Sequence, residues 1–511
     1  MKKIIIKPNL YYDSVTLMRV SQALSEVPGV VNAMVGMGTD LNKDSLKNLG
    51  LFDEQVEKAS ANDLIIGLEV STEEALNQAL TVLEQQLTKK REEKGGSEKV
   101  YTGIEQVVNE DPEANIVLIS VAGMYAAREA KKALLNGLHV FLFSDNVSVE
   151  EEIMLKDLAL EKGLLMMGPD CGTAYINGTA LGFANKVKKG PIGIVGASGT
   201  GTQQVMVLID RFGSGVSQVI GTGGRDLSRE VGGRMMSFGI KMLAEDPETK
   251  VIVTVSKPPA PEVAEKILSL LKSISKPAVV CFLGSDQTGF QGNDVVVVNN
   301  LEDTATMAVK LVNSKFSGTN GDQEVLAKIV NELKGKLNPH QKYLRALYGG
   351  GSLADETMQE LLKDGFEVFS NIPLKPELAL PSPLESRGHT VIDLGDDFFT
   401  RGKPHPMIEP ALRVPRIIKE SLDPETAVVL MDVILGYGCH KDPAGVTAQA
   451  VYDAKEKLAK EGREVIFIGV LVGTEGDPQN YQEQERKLKD AGVLVVNSNY
   501  QAVKLVKSIL G

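Results

Sequence analysis

Asp246-Pro247-Glu248-Thr249 leads into the apolar run Val251-Ile252-Val253-Thr254-Val255, and Asp423-Pro424-Glu425-Thr426 leads into Val428-Val429-Leu430. The echo extends both ways. Downstream, Val297-Val298-Asn299 before Ala308-Val309-Lys310-Leu311-Val312 is matched by Val495-Val496-Asn497 before Ala502-Val503-Lys504-Leu505-Val506. Upstream, the glycine loop at 196–202 is mirrored by Gly349-Gly350-Gly351-Ser352. Such self-similarity predicts two copies of one α/β unit in tandem.

Working outward, short apolar runs at 116–121, 140–143, 164–167, 192–195, 218–220, 251–255, 278–283 and 295–298 alternate with segments of helical periodicity. Strands apolar on both faces belong to parallel sheets covered by helices. The first 88 residues differ. Runs at 4–7, 30–37 and 64–68 alternate with amphipathic stretches at 13–24 and 72–87, which suggests a small ferredoxin-like α+β domain. A polar segment at 84–99, ending Arg91-Glu92-Glu93-Lys94-Gly95-Gly96-Ser97, reads as a helix end and linker, and 314–342 as a connector. The expected organisation is therefore α/β: a ferredoxin-like domain at 1–88, a partial Rossmann-like domain at 100–188, and flavodoxin-like domains at 189–312 and 343–511.

With 511 residues, a net charge of −12 and no basic run beyond Lys89-Lys90-Arg91, the chain has no phosphate-backbone footprint, and no nucleic-acid partner is expected. No apolar stretch reaches the roughly 20 residues that span a bilayer. The run after Met1-Lys2-Lys3 is too short for a signal peptide, so no membrane partner and a cytoplasmic location are expected. Cys171, Cys281 and Cys439 stand too far apart for a disulfide framework or zinc knot.

Four loops carry candidate chemistry. Ser198, Gly199, Thr200, Gly201 and Thr202 join a strand to a helix, where small residues let backbone N–H groups approach an anion; the same composition also serves a tight capped turn. Gly223-Gly224-Arg225 and Arg229 follow another strand, and the two guanidinium groups suit a carboxylate or phosphate, or an ion-pair network with Asp226 and Glu230. Asp393-Leu394-Gly395-Asp396-Asp397 through Arg401 to His405 holds an equivalent position; its acids lack a metal-binding signature, and no metal is expected. Gly436-Tyr437-Gly438-Cys439-His440 would set a second helix amino-terminus against the first if the domains face each other.

These stretches resemble the succinyl-CoA synthetase superfamily. Gly168-Pro169-Asp170-Cys171-Gly172 is similar to the α subunit's GPNCPG turn, Gly193 to Thr200 to its GIVSRSGT loop, and Ile392 to Gly395 to the β subunit's LDVGGG position. The resemblance makes 100–188 a domain of the CoA-binding type and 189–312 and 343–511 α-like and β-carboxyl-terminal-like domains. Three departures follow. The phosphorylated histidine should fall within 285–293, yet no histidine lies between His139 and His340. The CoA loop and an ATP-grasp region also have no counterpart, so CoA is not expected. More narrowly, Phe143-Ser144-Asp145-Asn146-Val147, Ser256-Lys257-Pro258-Pro259 and Pro404-His405-Pro406-Met407-Ile408 resemble FdrA proteins. That resemblance implies a subunit of an oxamate carbamoyltransferase in anaerobic allantoin breakdown, hetero-oligomeric with other subunits. It would turn oxalurate and phosphate into oxamate and carbamoyl phosphate. Arg225, Arg229, Arg401 and His405 would hold the anionic substrates, with phosphate or carbamoyl phosphate on the glycine loops 198–202, 223–224 and 436–440. The alternatives are an acyl-CoA synthetase-like enzyme or CoA-binding protein without phosphohistidine, and a non-catalytic scaffold.

Overall fold

The computed structural model describes residues 1–511 except 9, 11, 13, 26, 89–100, 286–293, 319–329, 331 and 402. The linker expected at 84–99, the connector at 314–342 and the position of the missing histidine lie wholly or partly outside the described residues. The chain divides into two compact units, Met1–Tyr101 and Thr102–Gly511.

In the first unit β1 (Lys2–Lys7), β2 (Val30–Met37) and β3 (Leu64–Val70) form an antiparallel sheet in the order β1-β3-β2. The central strand is buried on both faces, which explains its unbroken apolar run. Leu64, Ile66 and Leu68 meet Leu17, Val20, Leu24, Ala79 and Leu83 of helices Ser14–Ser25 and Glu73–Thr88. Ile65 points the other way, onto Leu46, Leu51 and Val56 under helices Asp40–Asn48 and Glu54–Lys58. Those two helices are additions to the β-α-β-β-α reading. Gly67 is required here: a Cβ would sit 2.8 Å from Leu46 Cδ2.

In the second unit β4 (Ile116–Ile119), β5 (His139–Leu142) and β6 (Met166–Met167) form a small parallel sheet. β7 (Thr173–Ile176) and β8 (Thr179–Gly182) then make an antiparallel hairpin, and β9 (Lys189–Ala197), β10 (Val216–Gly221), β11 (Val251–Ser256), β12 (Ala278–Phe282) and β13 (Val295–Val298) follow. All seven make one sheet, ordered β13-β12-β11-β9-β10-β7-β8. The hairpin thus joins the flavodoxin-like sheet across the 188/189 boundary drawn from sequence. A last, fully parallel sheet contains β14 (Tyr343–Tyr348), β15 (Val368–Ser370), β16 (His389–Asp393), β17 (Thr426–Ile434), β18 (Ile466–Val472) and β19 (Leu494–Val496), ordered β15-β16-β14-β17-β18-β19.

The repeat maps onto equivalent places. β10-β9-β11-β12-β13 and β16-β14-β17-β18-β19 share one order, with β15 added at an edge. β11 and β17 each lie beside the first strand of their domain, and each follows the repeated tetrapeptide. In both copies the aspartate forms an Asx turn: the N–H of Glu248 donates to Asp246 at 3.1 Å and that of Glu425 to Asp423 at 3.0 Å.

The two domains share a core. Val205, Leu208, Leu301 and Ala305 of the first pack with Leu353, Ala354, Val503 and Val506 of the second. Within it Asn499, fully buried, donates to Leu353 O at 3.0 Å and Glu356 at 2.9 Å and accepts from Tyr348 OH at 2.6 Å. Gln204 accepts from its backbone at 3.3 Å, and Glu356 accepts from Leu301 N–H at 2.8 Å. A polar cluster this buried is tolerated because its groups are paired.

Candidate functional site

The docking brings carboxyl ends of strands from both sheets together, where open α/β sheets place their ligands. β9 turns through Ser198 into helix Gly199–Arg211, and no side chain caps that helix. β14 runs through Gly349-Gly350 into helix Gly351–Lys363, which also lacks a side-chain cap. Each start therefore presents the positive end of its dipole without a side-chain cap of its own. The two starts meet: Ser198 Oγ donates to Ser352 Oγ at 2.7 Å, with both residues buried. A Cβ on Gly350 would lie 2.7 Å from Thr200, so glycine permits the approach. Asp432 accepts the N–H groups of Gly349 and Gly350 at 2.9 and 2.8 Å, and Arg413 holds Asp432 at 3.0 Å.

Charge gathers beside this contact. Lys257, just past β11, pairs with Asp355 at 2.9 Å. A Cβ on Gly351 would sit 3.3 Å from Lys257 Nζ and 2.5 Å from an oxygen of Asp393. Burial pulls the Lys257 ammonium down, but Asp355, Asp393 and Asp170 outweigh it and leave its pKa raised. Burial pushes Asp393 up to about 7 against the pull of Lys257. Asp170 is raised to about 6, first by burial and then by Asp145.

His405 lies in this wall, its ring 5.6 Å from that of Phe183. Burial, then Arg413, lowers its pKa to about 4, so the ring is neutral at pH 7. Its Nδ1 accepts from Met407 N–H at 3.2 Å, which leaves the proton on Nε2. Nε2 points at Gly395, where a Cβ would be 2.6 Å away. The ensemble suits an anion: two helix amino-termini, an ammonium and an imidazole N–H, with two carboxyl groups that change protonation near neutrality. Among the described residues no group of three or more His, Cys, Asp or Glu is arranged to hold a metal ion.

The expected site residues are only partly gathered here. Ser198 to Thr202 form one wall, but they face Gly349 to Ser352 and not Gly436 to His440. The 436–440 loop instead packs on 182–185: Tyr437 N–H donates to Ala184 O at 2.9 Å, and a Cβ on Gly438 would be 2.9 Å from Gly182 O. Gly436 N–H goes to Gln479 and His440 N–H to Met407 O, so those amides are already engaged. Burial raises the Cys439 thiol to about 12, far from a reactive thiolate. Arg225 pairs with the buried Glu152 at 2.9 Å and donates to Val147 O. Arg229 pairs with Glu262, not Glu230, on the surface. Asp226, expected beside Arg225, is instead fully buried against Lys156 at 2.8 Å. Gly223 packs on the Gly168-Pro169 turn, 2.3 Å from Pro169 O had it a Cβ; Gly224 lies near Asp170; Arg401 is exposed. Lys257, Asp170 and Ser352, with Asp355, Asp432 and Arg413, are site residues to which sequence reading assigned no role. A lone lysine directly after a long, mostly apolar strand was the available signal.

Residues 1–102 match a family described as the AllF heavy metal-associated domain, 187–284 a CoA binding domain and 347–509 a CoA-ligase. The uncharacterized protein YahF of Escherichia coli (strain K12) is 46% identical over 509 residues, covering 99% of this chain and 98% of that protein. The chain belongs to the YahF family.

Other likenesses are to parts. The α 2 subunit of an ADP-forming succinate–CoA ligase of Archaeoglobus fulgidus is 30% identical over 194 residues, 36% of this YahF-family chain and 66% of that subunit. The solved structure of PH0766 from Pyrococcus horikoshii OT3 aligns with 14% identity and a TM-score of 0.35, over 81% of this chain and 86% of that one. The CoA binding and CoA-ligase matches, with the likeness to the ligase subunit, make the two large domains succinyl-CoA synthetase-like. The carbamoyl-transferring activity implied by the FdrA resemblance is overturned: the family models that match the two large domains are CoA binding and CoA-ligase, and the Archaeoglobus relative is a CoA ligase subunit. No helix is long and apolar enough to cross a membrane among the described residues.

The loop after β4 is uncharged. Ser120-Val121-Ala122-Gly123-Met124-Tyr125 contains no cation, and Val121, Met124 and Tyr125 are exposed apolar side chains. Gly123 is consumed by packing, since a Cβ there would lie 2.3 Å from Asp145 O.

Proposed function

We propose that this YahF-family chain is an acyl-CoA synthetase-related enzyme that handles the acyl phosphate part of ligase chemistry, holding phosphate against a carboxylate-bearing substrate without a phosphohistidine. The observation that carries this reading is the Ser198–Ser352 contact, which sets two uncapped helix starts from different domains against one another beside Lys257. An anion there gains from both dipoles and from the ammonium. His405, neutral with its proton on Nε2, supplies a donor for charge that develops on an acyl oxygen. Asp393, titrating near neutrality, can hold or release a proton within the same wall. Calorimetric titration of the full chain with inorganic phosphate and with acetyl phosphate tests the reading. Binding that Ser352→Asp abolishes is expected; no binding, or binding indifferent to that substitution, would overturn it.

A further inference from the structure

We infer that the amino-terminal unit, although it matches a heavy metal-associated domain, holds no soft heavy-metal ion. The donor chemistry does not fit one. Copper(I) and cadmium(II) are held by thiolate, thioether or imidazole groups, and residues 1–101 contain no cysteine and no histidine; the first of each are Cys171 and His139. Only Met1, Met18, Met34 and Met37 carry sulfur in this stretch.

The three thioethers among the described side chains, those of Met1, Met34 and Met37, do not converge. Met34 and Met37 lie three positions apart on β2, so they face opposite sides of the sheet. Met37 is buried with Leu17, Val20 and Leu24, whereas Met34 packs on the Leu46, Leu51 and Val56 side. Met1 is 62% exposed at the start of β1. Oxygen donors do not replace them, because no candidate cluster of acids or histidines occurs among the described residues.

Nor does the unit need an ion to fold. Small domains that depend on a metal lack a core of their own. Here Leu64, Ile65, Ile66 and Leu68 are fully buried, with helices over both faces of the sheet. Between β1 and the first helix, Leu10 and Tyr12 turn into this core instead of presenting ligands.

Equilibrium dialysis of the full chain against chelator-buffered copper(I) and cadmium(II), read as metal per chain by mass spectrometry, decides the matter. The expected result at nanomolar free metal is no ion retained, and an unfolding midpoint that chelator leaves unmoved. An ion retained by the parent but lost in Met18→Leu, Met34→Leu or Met37→Leu would overturn the inference. These replacements nearly conserve volume, so loss of binding would not reflect a collapsed core. An ion that survives all three but is lost when cysteines or histidines of the second unit are replaced leaves the inference standing; one that survives those replacements as well overturns it.

Discussion

Ser198 and Ser352 stand 154 residues apart in sequence, yet their hydroxyl oxygens lie 2.7 Å apart where two helices begin. Replacing either by alanine should cost about 1 kcal/mol of stability, the usual worth of one hydrogen bond. The double replacement should cost less than the sum, by about 0.5–1.5 kcal/mol. Urea unfolding of the four proteins of the cycle measures this coupling, and strict additivity would mean that the contact does not form in solution.

Lys257 is expected to matter for both stability and affinity. Lys257→Met leaves Asp355 and Asp393 without their shared cation. Because the lysine side chain remains 40% exposed, water screens part of the loss, and about 1–2 kcal/mol is expected. Lys257→Met combined with Asp393→Asn should recover stability while leaving phosphate binding impaired. Recovery of both would remove the ammonium from the anion site.

Asp393 should tilt the pH dependence of stability. Its folded pKa of about 7 lies above the unfolded value, so the native state holds the extra proton between about pH 4 and 7. The sign follows: stability is full below the unfolded pKa and falls as pH rises through 7, by on the order of 2–4 kcal/mol. Asp393→Asn should flatten this slope between pH 5 and 8 in denaturant titrations. His405 works oppositely, losing stability as pH falls from about 6.5 towards 4, so His405→Gln should change the profile in the opposite direction to Asp393→Asn.

Arg225→Lys bears on the role expected from sequence. The guanidinium bridges Glu152 and Val147 O, a geometry an ammonium does not reproduce. With the arginine side chain 45% exposed, a loss of about 1 kcal/mol is expected, with phosphate affinity unchanged. A thirtyfold fall in affinity at unaltered melting temperature would return Arg225 to the ligand.

Incubation with labelled ATP should leave no acid-labile, base-stable phosphate on the chain, since no histidine lies between His139 and His340. Such a label would refute the proposed chemistry without phosphohistidine.

The tandem domains were legible because the Asp-Pro-Glu-Thr turn uses local chemistry, an aspartate accepting from the N–H two residues on, and both copies do so. The hairpin at 173–182 was also written in the sequence. Asn177-Gly178, with φ of 49° and 85°, is the left-handed pair that two-residue hairpins favour, but strands this short were lost among longer apolar runs. Which loops face each other was not legible. Gly349-Gly350-Gly351 and Gly436-Tyr437-Gly438 look alike as peptides, and the choice between them rests on long-range packing of Leu301 and Ala305 with Leu353 and Ala354.

The buried amide of Asn499 has a consequence for how the second unit comes apart. It bonds to the last residue of β14 and to residues of helix Gly351–Lys363, while its own backbone is held by Gln204 of the other domain. Opening either domain alone would strand several of these groups away from water, at roughly 1–3 kcal/mol each. The two halves should therefore melt as one cooperative block, with a single calorimetric endotherm, and amides of β9 and β14 should exchange their hydrogens at a common slow rate. The same groups make the boundary between the domains among the last places to loosen.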